Sequence, residues 1–294
     1  MTSSFTTKRL RASLILPQGT FPGTDSNTLV LENFRMSAQL VGSANFTNTC
    51  ALDVWGMRQA DMQAVTVLFF GPSAAAVNAR AILKLEADGG SGYLKVFEGQ
   101  FQEAQANYDD APDVRLHCNC ATGYAQQIFS APPSSFAGDV DIATLAKQLA
   151  TQMGFTFEDN GITGTISTAY LAGTLLDQFR QLAEAGRFDY YFDAKSTLIV
   201  CPRNSPRRNQ STVVLSKATG LIGYPTLQRF GVRVTVLFSP AIELGSPIEI
   251  HGSQVPGVDG LWFPMSARHQ LDSLRPGGQW FSVLDCYPHA AIAQ

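Results

Sequence analysis

The sequence is poor in charge. Charged residues make up 15% of its 294 residues, hydrophobic residues make up 45%, and the net charge at pH 7 is −3. This composition lacks the excess of basic residues that is typical of a nucleic-acid-binding protein. Its one local basic cluster, Arg203, Arg207 and Arg208, lies among prolines and asparagines, which is more typical of a solvated connector. Low charge is also typical of surfaces that other subunits cover, so the composition favours an oligomer.

Long apolar runs are missing. The longest, such as Val65 to Phe70, have the length of a strand and not of a membrane-spanning helix. The N-terminus, MTSSFTTKRLRASLIL, contains basic residues but only a short apolar stretch, so it does not fit a signal peptide. The five cysteines have no CxxC spacing, which indicates free thiols in a reducing compartment. We expect a soluble protein without a membrane span, made and assembled in a cytoplasm.

Metal-ligand spacing is also missing. Cys118 and Cys120 lie in one predicted strand, where alternation turns His117 to the opposite face and leaves the two thiols without further ligands. No HExxH pattern links the four histidines, which are His117, His251, His269 and His289. The sequence therefore predicts no metal ion and no cofactor.

Catalytic motifs are absent or are better explained by turns. Asp109, Asp110 and Asp113 could supply an acid and a base for glycoside cleavage, but they surround Pro112 in a polar connector where a turn is the better explanation. The stretch Gly89 to Gly92 has neither the spacing of a nucleophile elbow nor the Lys-Ser/Thr of a phosphate loop. We predict that the protein is not an enzyme, and a cell-wall hydrolase is the disfavoured alternative.

Strand-like alternation is abundant, most clearly in residues 93–124. Apolar and polar residues alternate up to Gly99, resume over Phe101 to Ala106, and alternate again from Val114 to Cys120 after an acidic turn around Pro112. Such alternation is typical of half-buried antiparallel strands. We predict three strands here, and we expect this segment to cross from one domain to the next.

Residues 1–110 are predicted to form a first β-barrel. Short apolar runs are separated by turn signals such as Pro17 to Gly19, and helix signals are scarce. One exception follows the strand predicted from Cys50 to Trp55, because Met57 to Leu68 allows either a short helix or a turn. Both options remain open for that stretch.

Residues 132–202 change to a helical pattern and are predicted to form an inserted α+β module. Apolar residues at helical spacing run from Ile142 to Met153. Asp139 or Asp141 is the expected acidic cap, and Gly154 is the expected stop. The two prolines before the module and the proline-rich stretch after it mark its boundaries.

A second helix is predicted from Thr174 to Ala185, and each helix is followed by a predicted hairpin. The first hairpin pairs Phe155–Glu158 with Ile162–Ser167, and the second pairs Phe188–Phe192 with Thr197–Val200. A single helix-hairpin unit cannot cover its own apolar face. We therefore expect the two units to pack their helices on one shared sheet.

β patterning returns after the module, and residues 111–131 and 203–294 are predicted to form a second, discontinuous barrel. The strand Val114 to Cys120 is expected to pair within it. Later strands flank an Arg-Pro-Gly-Gly hairpin signal. The predicted fold class is mainly β with an α+β insertion, namely two similar antiparallel, tube-type β-barrels and a small helix and β-hairpin module.

Several blocks of the sequence together resemble one known family. They are VFEGQFQEAQANYDDAPDVRLHCNCATGY, LENFRMSAQLVGSANFTNTCALDVWGMRQADM, LAKQLATQMGFTFEDN, LAEAGRFDYYFDAKSTLIV and KATGLIGYPTLQRFGVRVTVLFSPAIELGSPIEI. They are similar to baseplate hub proteins of contractile-tailed bacteriophages, which are related to the hub part of type VI secretion spike proteins. The similarity covers most of the chain.

The resemblance implies a structural virion protein of the tail baseplate, assembled in the host cytoplasm. Such a hub is expected to form a homotrimeric ring that adapts the six-fold tail tube to the three-fold central spike. Its implied partners are the tail tube protein, the central spike protein, baseplate wedge proteins and the tape-measure protein. DNA would transit the lumen without specific binding. Because the sequence ends soon after Cys286, a spike or lytic domain is expected to be a separate protein.

The face opposite the valines of residues 232–236 supplies the candidates for the ring interface: Arg233, Thr235 and Leu237. Ordinary exposed strand residues are an equally good interpretation of each. The alternative functions are a phage tail-associated cell-wall hydrolase and a host-receptor-binding β-protein. For the receptor-binding alternative the candidate aromatic residues are Tyr224, Trp262, Phe263 and Trp280.

Overall fold

A computed structural model describes residues 7–66, 81–109 and 111–289 of the protein. Most of the elements in these residues are strands, and a large antiparallel sheet dominates the fold, which confirms the predicted fold class. The described residues form two compact units. The first contains those of 1–41, 48–128 and 269–281, and the second contains those of 42–47, 129–268 and 282–294.

The first unit is built on seven consecutive strands with two short helices. These elements are β1 (Arg9–Ile15), β2 (Thr28–Glu32), β3 (Arg35–Ser43), β4 (Thr49–Trp55), α1 (Gln59–Val65), β5 (Ile82–Asp88), β6 (Tyr93–Asn107), β7 (Arg115–Ala121) and α2 (Tyr124–Ile128). The strands are antiparallel neighbours in the order β3-β4-β7-β6-β5-β1-β2. Alternate side chains along β1, β3, β4 and β5 are buried and form part of the core.

Strand β7 corrects the predicted domain division. It pairs with both β4 and β6, so that Cys50 and Phe101 both lie opposite Cys120. Residues 111–128 therefore belong to the first unit and not to the second barrel. The connection from β6 to β7 is short, and neighbouring strands joined by short connections usually pair with each other. Leu116, Cys118 and Cys120 are accordingly buried in the first unit.

Strand β6 corrects a second prediction, because it runs unbroken through Gly99. A Cβ atom at Gly99 would lie 2.7 Å from the backbone carbonyl carbon of Ala121. The glycine therefore permits close approach of the backbones and does not end the strand. Helix α1 resolves the open choice between helix and turn after β4 in favour of a helix, and residues 67 and 68 of that stretch lie outside the described residues.

The α+β module lies within the second unit. Its elements are β8 (Ser134–Ser135), β9 (Asp139–Asp141), α3 (Ile142–Gln152), β10 (Thr156–Asp159), β11 (Thr165–Ser167), β12 (Tyr170–Leu171), α4 (Leu175–Gly186), β13 (Phe188–Phe192) and β14 (Thr197–Pro202). Both predicted helices are confirmed, and Asp141 is the N-cap of α3, accepting from the Thr144 N–H at 2.8 Å. Thr174 and Asp177 form a capping box at the start of α4.

Only the second of the two predicted hairpins is present. β13 and β14 pair antiparallel, whereas β10 pairs with β14 in parallel and β11 pairs with β9. The prediction of the first hairpin is wrong because the residue after β10 still pairs with β14. The backbone N–H of Asn160 donates to the Val200 carbonyl at 2.9 Å. The sheet order β10-β14-β13 nevertheless gives both helices the shared sheet that was expected.

The remaining strands of the second unit follow the module. They are β15 (Val213–Leu215), β16 (Leu221–Gln228), β17 (Gly231–Leu237), β18 (Ile248–Ile250), β19 (Gly260–Ser273) and β20 (Trp280–Pro288). Their order is β16-β17-β20-β19, with β18 beside β19 and β15 parallel to β18. Strands β19 and β20 confirm the hairpin predicted around Arg-Pro-Gly-Gly, although residues 269–281 belong to the first unit.

Candidate assembly surface

The candidate site is the hairpin of β16 and β17, residues Leu221–Leu237, called here the edge hairpin. The sequence folds this way because alternating valines specify β17 and the turn at residues 229 and 230 returns the chain along it. β17 has β20 on its other side, whereas in the described part of the chain β16 pairs only with β17. The outer edge of β16 is therefore open to another strand.

The two faces of β17 divide as its alternation predicts. Val232, Val234 and Val236 are buried, while Arg233 and Leu237 are exposed. Arg233 donates from Nε to the Asp285 carboxylate at 2.6 Å, and this hydrogen bond raises the pKa of Arg233. Because its charge is already paired within the chain, Arg233 is a weaker candidate for a new contact than Leu237.

The apolar residues of the edge hairpin are unusually exposed. The exposed fractions are 41% for Ile222, 67% for Tyr224, 57% for Leu227 and 64% for Phe230. Leu227 lies opposite the buried Val232 in the register, so even the inward face of β16 remains open at this end. An exposed apolar edge strand of this kind is typical of a surface that another protein covers.

The middle of β16 is irregular. The register with β17 shifts between Ile222 and Thr226, and Gly223 there has a positive φ of 67°. Pro225 lies in the same stretch and has no N–H to donate. A partner can therefore form regular backbone pairing only beside this bulge, and the exposed side chains must supply the rest of the contact.

Sequence reasoning found only part of this surface. It selected Arg233, Thr235 and Leu237 on β17 but treated Tyr224 only as a receptor-binding candidate. The available signal was the segment LIGYPTLQ, which contains no charged residue although it forms an entire strand. Of the other aromatic candidates for receptor binding, Trp262 and Phe263 are buried.

The basic cluster is not a solvated connector throughout, because Arg207 is buried. Its guanidinium lies 2.7 Å from a Glu158 oxygen and 2.6 Å from a Glu243 oxygen. Burial lowers the pKa of Arg207, but hydrogen bonds to these two carboxylates outweigh that effect and raise it. Arg207 therefore bridges Glu158 and Glu243 inside the protein, and this group of three residues is called here the Arg207 clamp. Of the basic cluster, only Arg203 and Arg208 are exposed.

The acidic cluster is held by contacts of the first unit. The backbone N–H of Asp109 donates to the Asn107 side chain at 2.8 Å, and Asp113 lies 3.4 Å from Arg35. Asp110 lies outside the described residues. Asp109 thus has its backbone in a turn, and the Asp113 carboxylate forms a surface ion pair.

His117 belongs to a group called here the polar face, which comprises the outward side chains of Asp53, Glu103, Arg115, His117 and Asn119 on β4, β6 and β7. His117 Nδ1 lies 2.8 Å from Asp53, and this hydrogen bond raises the pKa of the histidine. Arg115 lies 3.4 Å from the same carboxylate. The carboxylate of Asp53 therefore contacts both neighbouring basic side chains.

The other histidines are dispersed: His251 lies 3.1 Å from Glu249, His269 is in β19, and His289 follows β20. All five cysteines are free and buried, and burial raises the pKa of Cys201 to about 12. In the described ranges, His, Cys, Asp and Glu form no group of three or more that could hold a metal ion. No helix among these residues is long and apolar enough to span a membrane.

Known structures share this fold at low sequence identity. A tail protein from Neisseria meningitidis has a TM-score of 0.62 and 10% identity, covering 95% of this chain and 96% of that one. The 43 kDa tail protein of prophage MuSo2 from Shewanella oneidensis has a TM-score of 0.59 and 10% identity, covering 96% of this chain and 99% of that one.

A third similar structure is the Escherichia coli c3393 protein, described as a type VI secretion component with similarity to the T4 tail proteins gp27 and gp5. Its TM-score is 0.61 at 10% identity, with 95% of this chain and 77% of that chain covered. No curated protein sequence matches the chain. The sequence model of the family described as baseplate hub gp41 matches residues 10–276. The chain therefore belongs to the baseplate hub gp41 family, as its sequence resemblance indicated.

Proposed function

We propose that this baseplate hub forms a homotrimeric ring that adapts the six-fold tail tube to the three-fold central spike. The observation that carries the ring is the edge hairpin. An open strand edge with exposed Tyr224, Leu227 and Phe230 favours aggregation in a monomer. A closed ring covers one such surface per copy, because every subunit has the same neighbours.

The lumen of the ring is assigned to the polar face of the first unit. A lining with unpaired cations would hold DNA through its phosphates. On this face Arg115 and His117 both contact Asp53, and Arg35 nearby contacts Asp113. Paired charges of this kind support a surface along which DNA passes without specific binding.

Further partners follow from the place of a hub in a tail baseplate. The ring would contact the tail tube protein on one side and the central spike protein on the other, with baseplate wedge proteins around it and the tape-measure protein at its end. The ring would assemble in the host cytoplasm and remain in the virion. Family membership and the fold shared with tail proteins support this placement.

The test measures the mass of the purified full-length chain and its binding to the tube and spike proteins encoded beside it. We expect a particle three times the 31.8 kDa chain mass that binds both proteins. Phe230→Ser should weaken the ring, whereas Phe46→Ser is the matched control because both side chains are 64% exposed. A chain that stays monomeric and binds neither protein would contradict the proposal.

A further inference from the structure

We infer that the edge hairpin of one copy docks head to tail on the β2 edge of the next copy of this chain. The inference rests on the proposed ring and specifies its contact. In the part of the chain that the structure describes, β2 pairs only with β1, so it offers a second open edge. Val30 on β2 is 52% exposed and provides an apolar group there.

The two edges carry charge of opposite sign. Residues 12–34 contain Asp25 and Glu32 but no lysine or arginine. The edge hairpin itself, residues 221–237, contains Arg229 and Arg233 but no aspartate or glutamate. Glu32 is the charged residue of β2, and Asp25 precedes that strand. Complementary charge of this kind orients two surfaces as they meet.

Arg229 is the cation best placed for this contact. It lies in the turn of the edge hairpin, is exposed, and stacks on the ring of Phe230 with its guanidinium carbon 5.0 Å from the ring centre. It pairs with no carboxylate of the described residues, whereas Arg233 is already bound to Asp285. An acidic surface on another copy would therefore give Arg229 its partner.

Glu32 is the corresponding anion at the other edge. Its side chain is 39% exposed and lies 4.0 Å from Arg11, which binds Glu86 much more closely at 2.7 Å. Tyr93 donates its hydroxyl to Glu32 at 3.3 Å. These weak contacts leave Glu32 with room for a second cation.

The charge pattern favours a head-to-tail contact over a symmetric dimer. Two edge hairpins that faced each other would place two surfaces without a carboxylate side by side, and two β2 edges would place two surfaces without a lysine or arginine side by side. A contact between unlike surfaces repeats around an axis until the ring closes. A symmetric contact uses the same surface on both copies and ends at a dimer.

Side chains must supply much of this contact. β2 has five residues and β16 has eight, and the bulge near Pro225 interrupts the longer strand. Regular backbone pairing is therefore confined to a few residues. Tyr224 and Leu227 would pack against Val30 and exclude water from these hydrogen bonds.

A photo-crosslinking amino acid at position 224 of the full-length chain tests this contact directly. Copies with and without heavy isotopes are mixed, irradiated and digested, so that peptides joined between copies can be recognised by mass. We expect position 224 of one copy to cross-link to residues 25–32 of another. Cross-links to residues 221–230 of another copy, or to no copy, would overturn the inference.

A double-mutant cycle provides the second measurement. Arg229→Gln and Glu32→Gln should each raise the concentration for half-assembly about tenfold, and together they should raise it much less than the about hundredfold expected of independent sites. Lys195→Gln, at an exposed turn between β13 and β14, is the control and should combine additively with Glu32→Gln. If the effects of Arg229→Gln and Glu32→Gln on the concentration for half-assembly are fully additive in free energy, the two side chains are not in contact.

The outcomes separate this inference from the proposed ring. If the wild-type chain is a trimer but the variant with the photo-reactive residue at position 224 cross-links elsewhere, the proposed ring is supported and the contact with β2 is excluded. A wild-type chain that is monomeric and binds neither tube nor spike protein removes both.

Discussion

The α+β module and the edge hairpin differ in how much of their apolar surface is buried within the chain. In the module, Phe179 contacts Tyr190 edge to face with ring centres 5.2 Å apart, and both are buried under capped helices. In the edge hairpin, Tyr224 and Phe230 remain mostly exposed. The module buries its core within one chain, whereas the hairpin leaves comparable side chains for another molecule. Several exposed apolar side chains on one open strand edge, and not exposure of a single residue, support the proposed role of the hairpin in assembly.

The largest expected effect comes from breaking the core of the module. Phe179→Ala removes a fully buried ring that contacts Phe188 and Tyr190, and it should lower the free energy of unfolding by about 3–5 kcal/mol. Chemical denaturation followed by circular dichroism measures the change. Tyr170→Ala, on an exposed residue of the same module, is the control and should have little effect. Equal losses from both variants would contradict the comparison.

The Arg207 clamp should have the next largest effect. Arg207→Ala leaves Glu158 and Glu243 without their shared cation, and because both carboxylates are about one-third exposed we expect a loss of about 2–3 kcal/mol. Denaturation of Arg207→Ala beside Arg203→Ala tests this, since the Arg203 side chain is 53% exposed. A loss no larger than that of Arg203→Ala would show that the clamp contributes nothing.

A smaller effect is expected from the polar face and depends on pH. Asp53 raises the folded-state pKa of His117 above its ordinary value of about 6.5, so the charged form is stabilised on folding. The contribution is fully present below about pH 6.5 and is lost as the pH rises through the raised folded-state value.

Denaturation between about pH 5.5 and 8.5 measures this contribution as the difference between wild type and His117→Gln. Glu103 raises the pKa of His117 further, whereas Arg115 and partial burial lower it, so all of these groups must be kept constant. In an Asp53→Asn background the difference should become nearly independent of pH. A difference that grows towards high pH would reverse the expected sign.

The smallest effect on folding is expected in the edge hairpin, where the effect on assembly should be large. Tyr224→Ser should change the free energy of unfolding by no more than about 0.5 kcal/mol, because the side chain is 67% exposed. The same change should shift the mass distribution from trimer towards monomer. Tyr170→Ser is the matched control at 66% exposure. Equal effects of the two substitutions on assembly would remove the distinction between hairpin and module.

Local pattern predicted those features that depend on neighbours in the sequence. Helices α3 and α4 followed from apolar residues at helical spacing, and the acidic cap of α3 was narrowed to Asp139 or Asp141, of which the structure shows Asp141. The alternation of β17 correctly divided Val234 from Arg233. Each of these features is set by the period of the backbone, which a single segment already contains.

Long-range pairing was less accessible to sequence reasoning. The parallel pairing of β10 with β14 and the place of β7 beside β4 depend on which strand edges meet in space. Several partners satisfy the same alternation, so the pattern could not choose among them. The burial of Arg207 is similar, because Glu158 and Glu243 are distant in sequence and meet it only in the folded unit.

The sequence by itself determined a mainly β protein with a helical insertion, and five blocks of its residues indicated the hub family. Low charge also pointed to covered surfaces. Only the tertiary structure decided where such a surface lies, because exposure depends on which elements cover a strand. In the described residues β16 and β13 both lie at the end of a sheet, but the side chains of β13 pack with those of helices α3 and α4 and are buried, whereas Tyr224 of β16 is 67% exposed.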